Sequence, residues 1–238
     1  MQTPEALNAA FASGNPHRVI VETLRFAGAN SVLDVGCGGG RLVARLIEAG
    51  FRAAGTDPNP LALEAARARV PSARFEAGGA EAQTFADDEF DAVVFLNSFH
   101  HVPVDRMADA LGEARRIGRQ DLPVLIVEPL AEGSYFETMR PVEDETDIRR
   151  AAGVAIADAV RAGWFSLKGN VVFEQRSRFA NVDEFLAGLI AVDPARTASA
   201  ERHKAEVEQL FRECSQEDEG RFRLVQPLRI YWLASQKN

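Results

Sequence analysis

The residues whose spacing is best suited to chemistry are three glycines at alternate positions, Gly36, Gly38 and Gly40, with Asp34 two residues before them. They follow an apolar run that predicts a strand, and they precede a stretch that predicts a helix. Glycine lets the backbone turn sharply and lets a ligand approach it with no Cβ in the way. Free N–H groups at the start of a helix also attract anionic groups. The junction therefore predicts a nucleotide-type binding site.

The glycine spacing indicates which nucleotide is bound. A dinucleotide site needs a third glycine at position 41, where this chain has Arg41. The pattern Asp34-x-Gly36-x-Gly38-x-Gly40 instead resembles motif I of the class I S-adenosylmethionine (SAM)-dependent methyltransferases. The resemblance implies a SAM cofactor, and the residues that it places around SAM are Asp34, Gly36, Cys37, Gly38 and Gly40. A purely structural turn between strand and helix is the alternative explanation of the glycines.

A second acidic residue, Asp57, stands about twenty residues after the first glycine, at the predicted end of the second strand. Its carboxylate is suited to accept hydrogen bonds from both hydroxyls of a ribose. Dinucleotide enzymes use the same acid, so Asp57, with the following Pro58, predicts nucleoside binding without choosing the cofactor. A helix-capping role for Asp57 is the alternative.

Two further segments resemble the methyltransferase pattern. The first ends in Gly79, Ala80 and Glu81 and is similar to the loop that lies over adenine, so these three residues are implied to contact that ring. Gly79 stands where many relatives carry an aspartate, so the contact with the adenine amino group would fall to backbone atoms, Glu81 or water. The second segment is similar to the one that follows strand four, which implies that Asn97 and Ser98 meet the methionine part of SAM.

Candidate catalytic side chains come from the ends of the fourth and fifth strands, because ligands of open α/β sheets bind beyond the carboxyl ends of strands. They are His100, His101 and Glu128. A base is needed only if the methyl acceptor must lose a proton. The structural alternatives are that a histidine packs against or caps the following helix and that Glu128 only orients a loop. Tyr135 and Phe136, just past strand five, are candidate substrate contacts or core residues.

The elements that must position these residues follow an alternation of strand-like and helix-like runs, which is typical of βαβ units and a parallel sheet. We expect an α/β fold with a Rossmann-like, seven-stranded, mostly parallel sheet and helices on both faces. Residues 1–238 are expected to form one domain, with a SAM-binding core at 16–130, a helical lid or substrate region at 130–215, and terminal antiparallel strands within 221–235. Helices that simply cover one face of the sheet are the alternative to a lid.

Local signals set the predicted boundaries. Asn59 is predicted to cap a helix whose first residue is proline. The predicted strands are 31–35, 51–56, 73–76, 90–96, 122–127 and 170–179, followed by the terminal pair. The predicted helices are 5–13, 16–27, 40–49, 60–70, 104–117, 145–160, 182–190 and 200–214.

Composition limits the partners. Lys and Arg number 27 against 35 Asp and Glu, and the net charge of −8 disfavours a nucleic-acid substrate, because phosphates are bound largely by Lys and Arg. The arginines at 115–119 are expected to form a solvated helix end. Cys37 and Cys214 lie too far apart to suggest a disulfide framework, and Cys37 is expected to fill a small slot in the glycine turn.

Membrane, targeting and metal signals are not expected. No apolar run suggests a membrane span, and the first residues lack the basic and apolar regions of a signal peptide, so we expect a cytoplasmic monomer or homodimer with no membrane partner. A metal site is not expected either, because adjacent histidines on an extended segment point apart and no carboxylate stands at ligand-like spacing.

These observations predict a SAM-dependent methyltransferase that acts on a small organic molecule by in-line displacement, most similar in layout to the ubiquinone/menaquinone-biosynthesis type. Two alternatives stay open. An NAD-dependent oxidoreductase would share the sheet and Asp57, and a non-catalytic SAM-binding regulatory protein would share every cofactor motif.

Overall fold

Strands and helices alternate through the first half of the chain, as predicted. The computed structural model describes residues 4–236, and Met1–Thr3, part of the amino-terminal stretch considered above, lie outside the described residues. The helices are α1 (Pro4–Ser13), α2 (Pro16–Phe26), α3 (Arg41–Glu48), α4 (Pro60–Arg69), α5 (Met107–Ile117), α6 (Ser134–Met139), α7 (Thr146–Arg161), α8 (Val182–Val192), α9 (Thr197–Arg202) and α10 (Lys204–Cys214). The strands are β1 (Ser31–Val35), β2 (Arg52–Asp57), β3 (Arg74–Ala77), β4 (Ala92–Leu96), β5 (Pro123–Pro129), β6 (Phe165–Phe179), β7 (Gln216–Asp218) and β8 (Arg221–Ser235).

The strands form one sheet in the order β3-β2-β1-β4-β5-β8-β6, with β7 paired to β8. The first five strands are parallel: β1 pairs with β2 and β4, β2 with β3, and β4 with β5. Val35, the last residue of β1, aligns with Thr56 on one side and Phe95 on the other. The chain order of the strands reverses at β1, and crevices at such points are the usual ligand sites of open α/β sheets.

The central strands are buried along their length. Every residue of β1 and β5 is buried, as are the first four residues of β4. Continuous apolar runs of this kind are typical of parallel strands that helices cover on both faces. No helix within residues 4–236 is both long and apolar enough to cross a membrane.

The chain divides into two compact units. The first contains the described residues up to Glu128, Ala151–Phe173 and the residues from Arg229 onward, and the second contains Pro129–Arg150 and Glu174–Leu228. The second unit has its own apolar core, whose largest members are Phe136, Phe185 and Phe211. The predicted region 130–215 is thus divided between the units, because 151–173 groups with the first. A lid role for that region stays a prediction.

The carboxyl-terminal half departs from the sequence prediction in several places, and the helix predicted at 200–214 is divided into α9 and α10. Helix α6 was not predicted, and β6 begins at Phe165 rather than at residue 170. The predicted pair of strands within 221–235 is wrong, because those residues form the single strand β8, whose antiparallel hairpin partner is β7. Glu219 and Gly220 form the turn, with φ of 52° and 75°, as a two-residue hairpin turn requires. The sheet therefore has eight strands rather than seven.

The start of α4 confirms the predicted cap. Asn59 Oδ1 accepts hydrogen bonds from the N–H groups of Leu61 at 3.0 Å and Ala62 at 3.4 Å, and Pro60 is the first helical residue. A side-chain oxygen at this position satisfies backbone donors that have no partner within the helix.

We expect Asn59→Ala to lower the free energy of unfolding by about 1 kcal/mol, because it removes this cap. Urea unfolding followed by circular dichroism measures the change. Glu64→Ala, at an exposed position of the same helix, is the matched control and should change stability little. Equal stabilities for the two variants would show that the cap contributes nothing.

Candidate active site

The glycine loop after β1 has a left-handed backbone at all three alternate glycines. The φ angles are 75° at Gly36, 51° at Gly38 and 73° at Gly40. A Cβ at Gly36 would lie 2.5 Å from Ser98 Cβ, and one at Gly40 would lie 3.1 Å from Ala66 Cβ. A Cβ at Gly38 would have no neighbour within 4 Å. Packing therefore requires glycine at positions 36 and 40, whereas Gly38 borders open space from which a ligand can approach the backbone.

Cys37 is buried against β2 and fills the slot predicted for it. Its Sγ lies 2.7 Å from the position that a Cβ on Gly55 would take, so glycine at 55 makes room for the thiol. The N–H groups of Gly36 and Cys37 both donate to the carbonyl oxygen of Thr56, at 2.8 and 2.9 Å. Burial, with smaller contributions from Asp34 and Asp57, raises the pKa of the Cys37 thiol. The thiol is therefore protonated and serves packing rather than nucleophilic chemistry.

The Asp57 carboxylate joins the end of β2 to the glycine loop. Its Oδ2 accepts from the N–H of Gly38 and its Oδ1 from the N–H of Asn59, both at 2.8 Å. A carboxylate offers about four lone-pair positions, so two acceptor positions remain for hydroxyl groups. The predicted ribose contact stays a prediction, and the geometry adds a positioning role that the sequence did not predict. Pro58 follows at an exposed position.

Asp34 is buried beside Asp57 at the end of β1. Burial, with repulsion from Asp57, raises the pKa of Asp34 to about 8. This side chain is thus a protonated carboxyl at neutral pH, able to donate as well as to accept a hydrogen bond.

The loop after β3 brings together the residues predicted to lie over adenine. The Glu81 carboxylate folds back over Gly79, where a Cβ would lie 2.5 Å from both of its oxygens. Gln83 Nε2 donates to the carbonyl oxygen of Gly79 at 2.7 Å. Ala80, which stands between Gly79 and Glu81 in the sequence, is half-buried. Glycine at position 79 thus leaves room for Glu81, which is the side chain that the sequence offered as the substitute acceptor.

The segment after β4 is fixed to the ends of β1 and β5. Asn97 is exposed, has φ of 52°, and donates its N–H to the carbonyl oxygen of Val127 at 2.9 Å. Ser98 Oγ donates to the carbonyl oxygen of Val35 at 2.6 Å. Ser98 therefore lies directly against the glycine loop, whose Gly36 leaves it the necessary space.

Glu128 holds the segment after β4 and the ring of His100 in place. Its Oε1 accepts from the N–H groups of Ser98 at 3.2 Å and Phe99 at 2.9 Å, and the Nδ1–H of His100 donates to its Oε2. Glu128 and His100 are both buried, whereas the His101 side chain is exposed and its ring centroid lies 4.1 Å from that of His100. The three predicted catalytic residues are thus adjacent, and both oxygens of Glu128 accept hydrogen bonds. The expectation that the two histidines point apart on an extended segment is wrong, because Phe99–His101 form a short 3-10 helix that brings their rings together.

The predicted substrate contacts lie in the second unit. Phe136 is buried in its apolar core, with the Arg149 guanidinium 4.7 Å from the ring centroid, and Tyr135 packs against that core. Burial raises the pKa of the Tyr135 hydroxyl. A substrate role for these two residues stays a prediction.

A buried charge network in the second unit was missed by the sequence reasoning. Glu145 is buried and pairs with Arg149 at 2.5 Å and with Arg196 at 3.0 Å, and Arg196 also pairs with Glu143. The Glu145–Arg149 spacing of four residues was a detectable signal. Arg196 lies 51 residues after Glu145, and no pattern in the sequence indicates that the two residues pair.

The raised pKa of Asp34 predicts a pH-dependent stability. The folded chain keeps the proton up to about pH 8, whereas the unfolded chain loses it near the ordinary value of 3.8, so this group destabilises the folded state progressively as pH rises between those values. We expect Asp34→Asn to gain stability relative to wild type from pH 5 to pH 9. Urea unfolding across this range measures the gain, with Asp105→Asn, at an exposed position, as the control. Parallel pH curves for wild type and Asp34→Asn would contradict the assignment.

Comparison with known proteins agrees with this geometry. The methyltransferase domain family matches residues 32–121. The chain is 31% identical over 101 residues to an uncharacterised methyltransferase of Synechocystis sp., and the match covers 42% of this chain and 48% of that protein. It is 28% identical over 156 residues to the uncharacterised methyltransferase YcgJ of Bacillus subtilis, with 60% of this chain and 58% of that protein covered.

The crystal structure of YcgJ superposes with a TM-score of 0.63 at 17% identity, covering 93% of this chain and 98% of that one, which shows that the fold is shared. The sequence matches span about half the length of the curated relatives. The match to the methyltransferase domain family begins in β1 and includes the glycine loop described above. Residues 32–121 therefore match the methyltransferase domain family, and the curated relatives that the chain resembles are methyltransferases.

Proposed function

We propose that this protein binds SAM and transfers its methyl group to a small organic molecule by in-line displacement. The observation that carries the proposal is the open space at Gly38, which adjoins the carboxylate of Asp57 at the reversal point of the sheet. When bound, SAM supplies the methyl group as an electrophile at its sulfonium. The protein then has to hold the acceptor in line with that group and keep water away, and alignment of this kind is worth about 7–11 kcal/mol in well-oriented reactions.

The residues at the strand ends fit the parts of SAM. The remaining acceptor positions of Asp57 suit ribose hydroxyls, and Glu81 suits an amino group on a purine ring. Asp34, Asn97 and Ser98 carry polar groups that suit the charged methionine end. These assignments rest on the chemistry of the donor set and on the resemblance to the superfamily.

The ion pairs of the basic cluster at 115–119 support a small-molecule acceptor. Arg116 pairs with Glu113 and Asp87, and Arg119 pairs with Asp91. Acidic side chains of the same chain neutralise these arginines, so their charges are not available to bind a row of nucleic-acid phosphates. The net charge of the chain is −8. Nucleic acid is therefore not the proposed acceptor.

Catalysis by this chain consists mainly of positioning, with one base. Glu128 acts as a positioning residue, because its two oxygens hold Ser98, Phe99 and His100. His101, whose side chain is exposed next to His100, removes the proton when the acceptor is a hydroxyl or another group that must be deprotonated. Tyr135 and Phe136 stay the proposed contacts with the acceptor.

Substitution of Gly38 tests the cofactor site. We expect Gly38→Val to abolish SAM binding in calorimetry, with Kd weakened at least about a hundredfold, or roughly 2.7 kcal/mol, because the side chain fills the space that the ligand needs. Gly50→Val is the matched control: Gly50 also has positive φ and open space around its Cβ position, but it lies at the far end of α3. Equal binding by the two folded variants would refute this assignment, and binding of NAD instead of SAM would favour the oxidoreductase.

Variants of His101 and Glu128 test the transfer step. With labelled SAM and a metabolite extract as acceptor, we expect His101→Ala to lower the rate of methyl transfer by about a hundredfold or more, and Glu128→Gln to lower it as well. His101→Ala should leave SAM affinity unchanged. His203→Ala is the control, because the hydrogen bonds of that ring go to Ser199, one helical turn earlier, and not to the candidate site. SAM binding without transfer by the wild type would identify a non-catalytic SAM-binding protein.

A further inference from the structure

Strand β6 is the edge of the sheet. It is last in the strand order, and among the described strands it pairs only with β8. Along its 15 residues, one side of the backbone therefore lacks a strand partner. Natural proteins usually shorten, cover or charge such edges, because an exposed row of N–H and C=O groups is a template for another strand.

The side chains of β6 do not protect this edge. Leu167, Val171 and Val172 are 40–47% exposed, and no proline interrupts the strand. Its charged residues lie away from the centre of the strand: Lys168 in the first half, and Glu174, Arg176 and Arg178 in the second. A long edge with exposed aliphatic residues at its centre favours pairing over solvation.

The charge pattern of β6 is complementary to itself. Lys168 and Glu174 stand three residues before and three residues after Val171, and both are exposed. We propose that β6 pairs antiparallel with β6 of a second copy of this chain, about a twofold axis at Val171. Lys168 then lies opposite the partner's Glu174, and the symmetry forms this ion pair twice.

Other registers are less favourable. A pair centred on Val172, the middle of the strand, would place Lys168 opposite the partner's Arg176, and directly opposed like charges are destabilising. A pair centred on residue 175 opposes Glu174 and Arg176 but overlaps only residues 171–179, whereas the proposed register overlaps residues 165–177. Within one chain, Glu174 contacts Arg176 at 2.9 Å, and the proposed register gives the same carboxylate a second cationic neighbour in the partner's Lys168.

Charge reversal tests the proposal by sedimentation of the full chain. Wild type should sediment as a dimer of the 26.0-kDa chain, and K168E and E174K should each shift to the monomer mass. The double variant K168E/E174K should recover the dimer. A mixture of the two single variants should also recover it, because each then opposes a charge of the other sign.

The control is Lys204→Glu, an exposed charge reversal on α10, which should leave the dimer mass unchanged. Circular dichroism verifies that each variant is folded, and all three substituted positions are exposed. A monomeric wild type would overturn the proposal, as would a dimer that persists in K168E, since Lys168 has no partner in the register centred on residue 175. Failure of the double variant to recover the dimer would also overturn it.

Discussion

Hydrogen bonds from backbone N–H groups to two carboxyl side chains hold the loops at the carboxyl edge of the sheet. Asp57 accepts from Gly38 and from the residue that begins the α4 cap, and Glu128 accepts from Ser98 and Phe99. A single carboxyl side chain thus joins two strand ends in each case. The geometry of the candidate site depends on these contacts, because a loop without them would be free to choose among many backbone conformations.

The same arrangement has an electrostatic cost. Asp34 is buried and lies close to Asp57, and burial together with repulsion from Asp57 raises the pKa of Asp34. A group that stays protonated until about pH 8 destabilises the folded state, relative to an amide of the same shape, progressively as pH rises from 3.8 to about 8. Perturbed carboxyl groups of this kind are concentrated at functional sites, which agrees with the placement of Asp34 beside the glycine loop.

The second unit is organised differently, around an aromatic core and a buried ion network rather than around strand ends. Arg196 links Glu143 and Glu145, and Arg149 covers the ring of Phe136. Removing one partner of a buried pair is strongly destabilising, because it leaves the other charge uncompensated. Glu145 is therefore part of the interior, although it stands in the acidic run 143–147.

The sequence by itself determined the features that depend on near neighbours: strand β1, the proline start of α4 with its Asn59 cap, and the glycine loop, because turn, cap and periodicity signals act within a few residues. Tertiary structure alone decided which distant groups meet. Glu128 holds backbone about 30 residues away, and Arg196 reaches Glu145 across 51 residues. The tertiary structure also decided that residues 221–235 form one strand. Local sequence patterns carry no information about such distant partners, because these residues come together only when the whole chain folds.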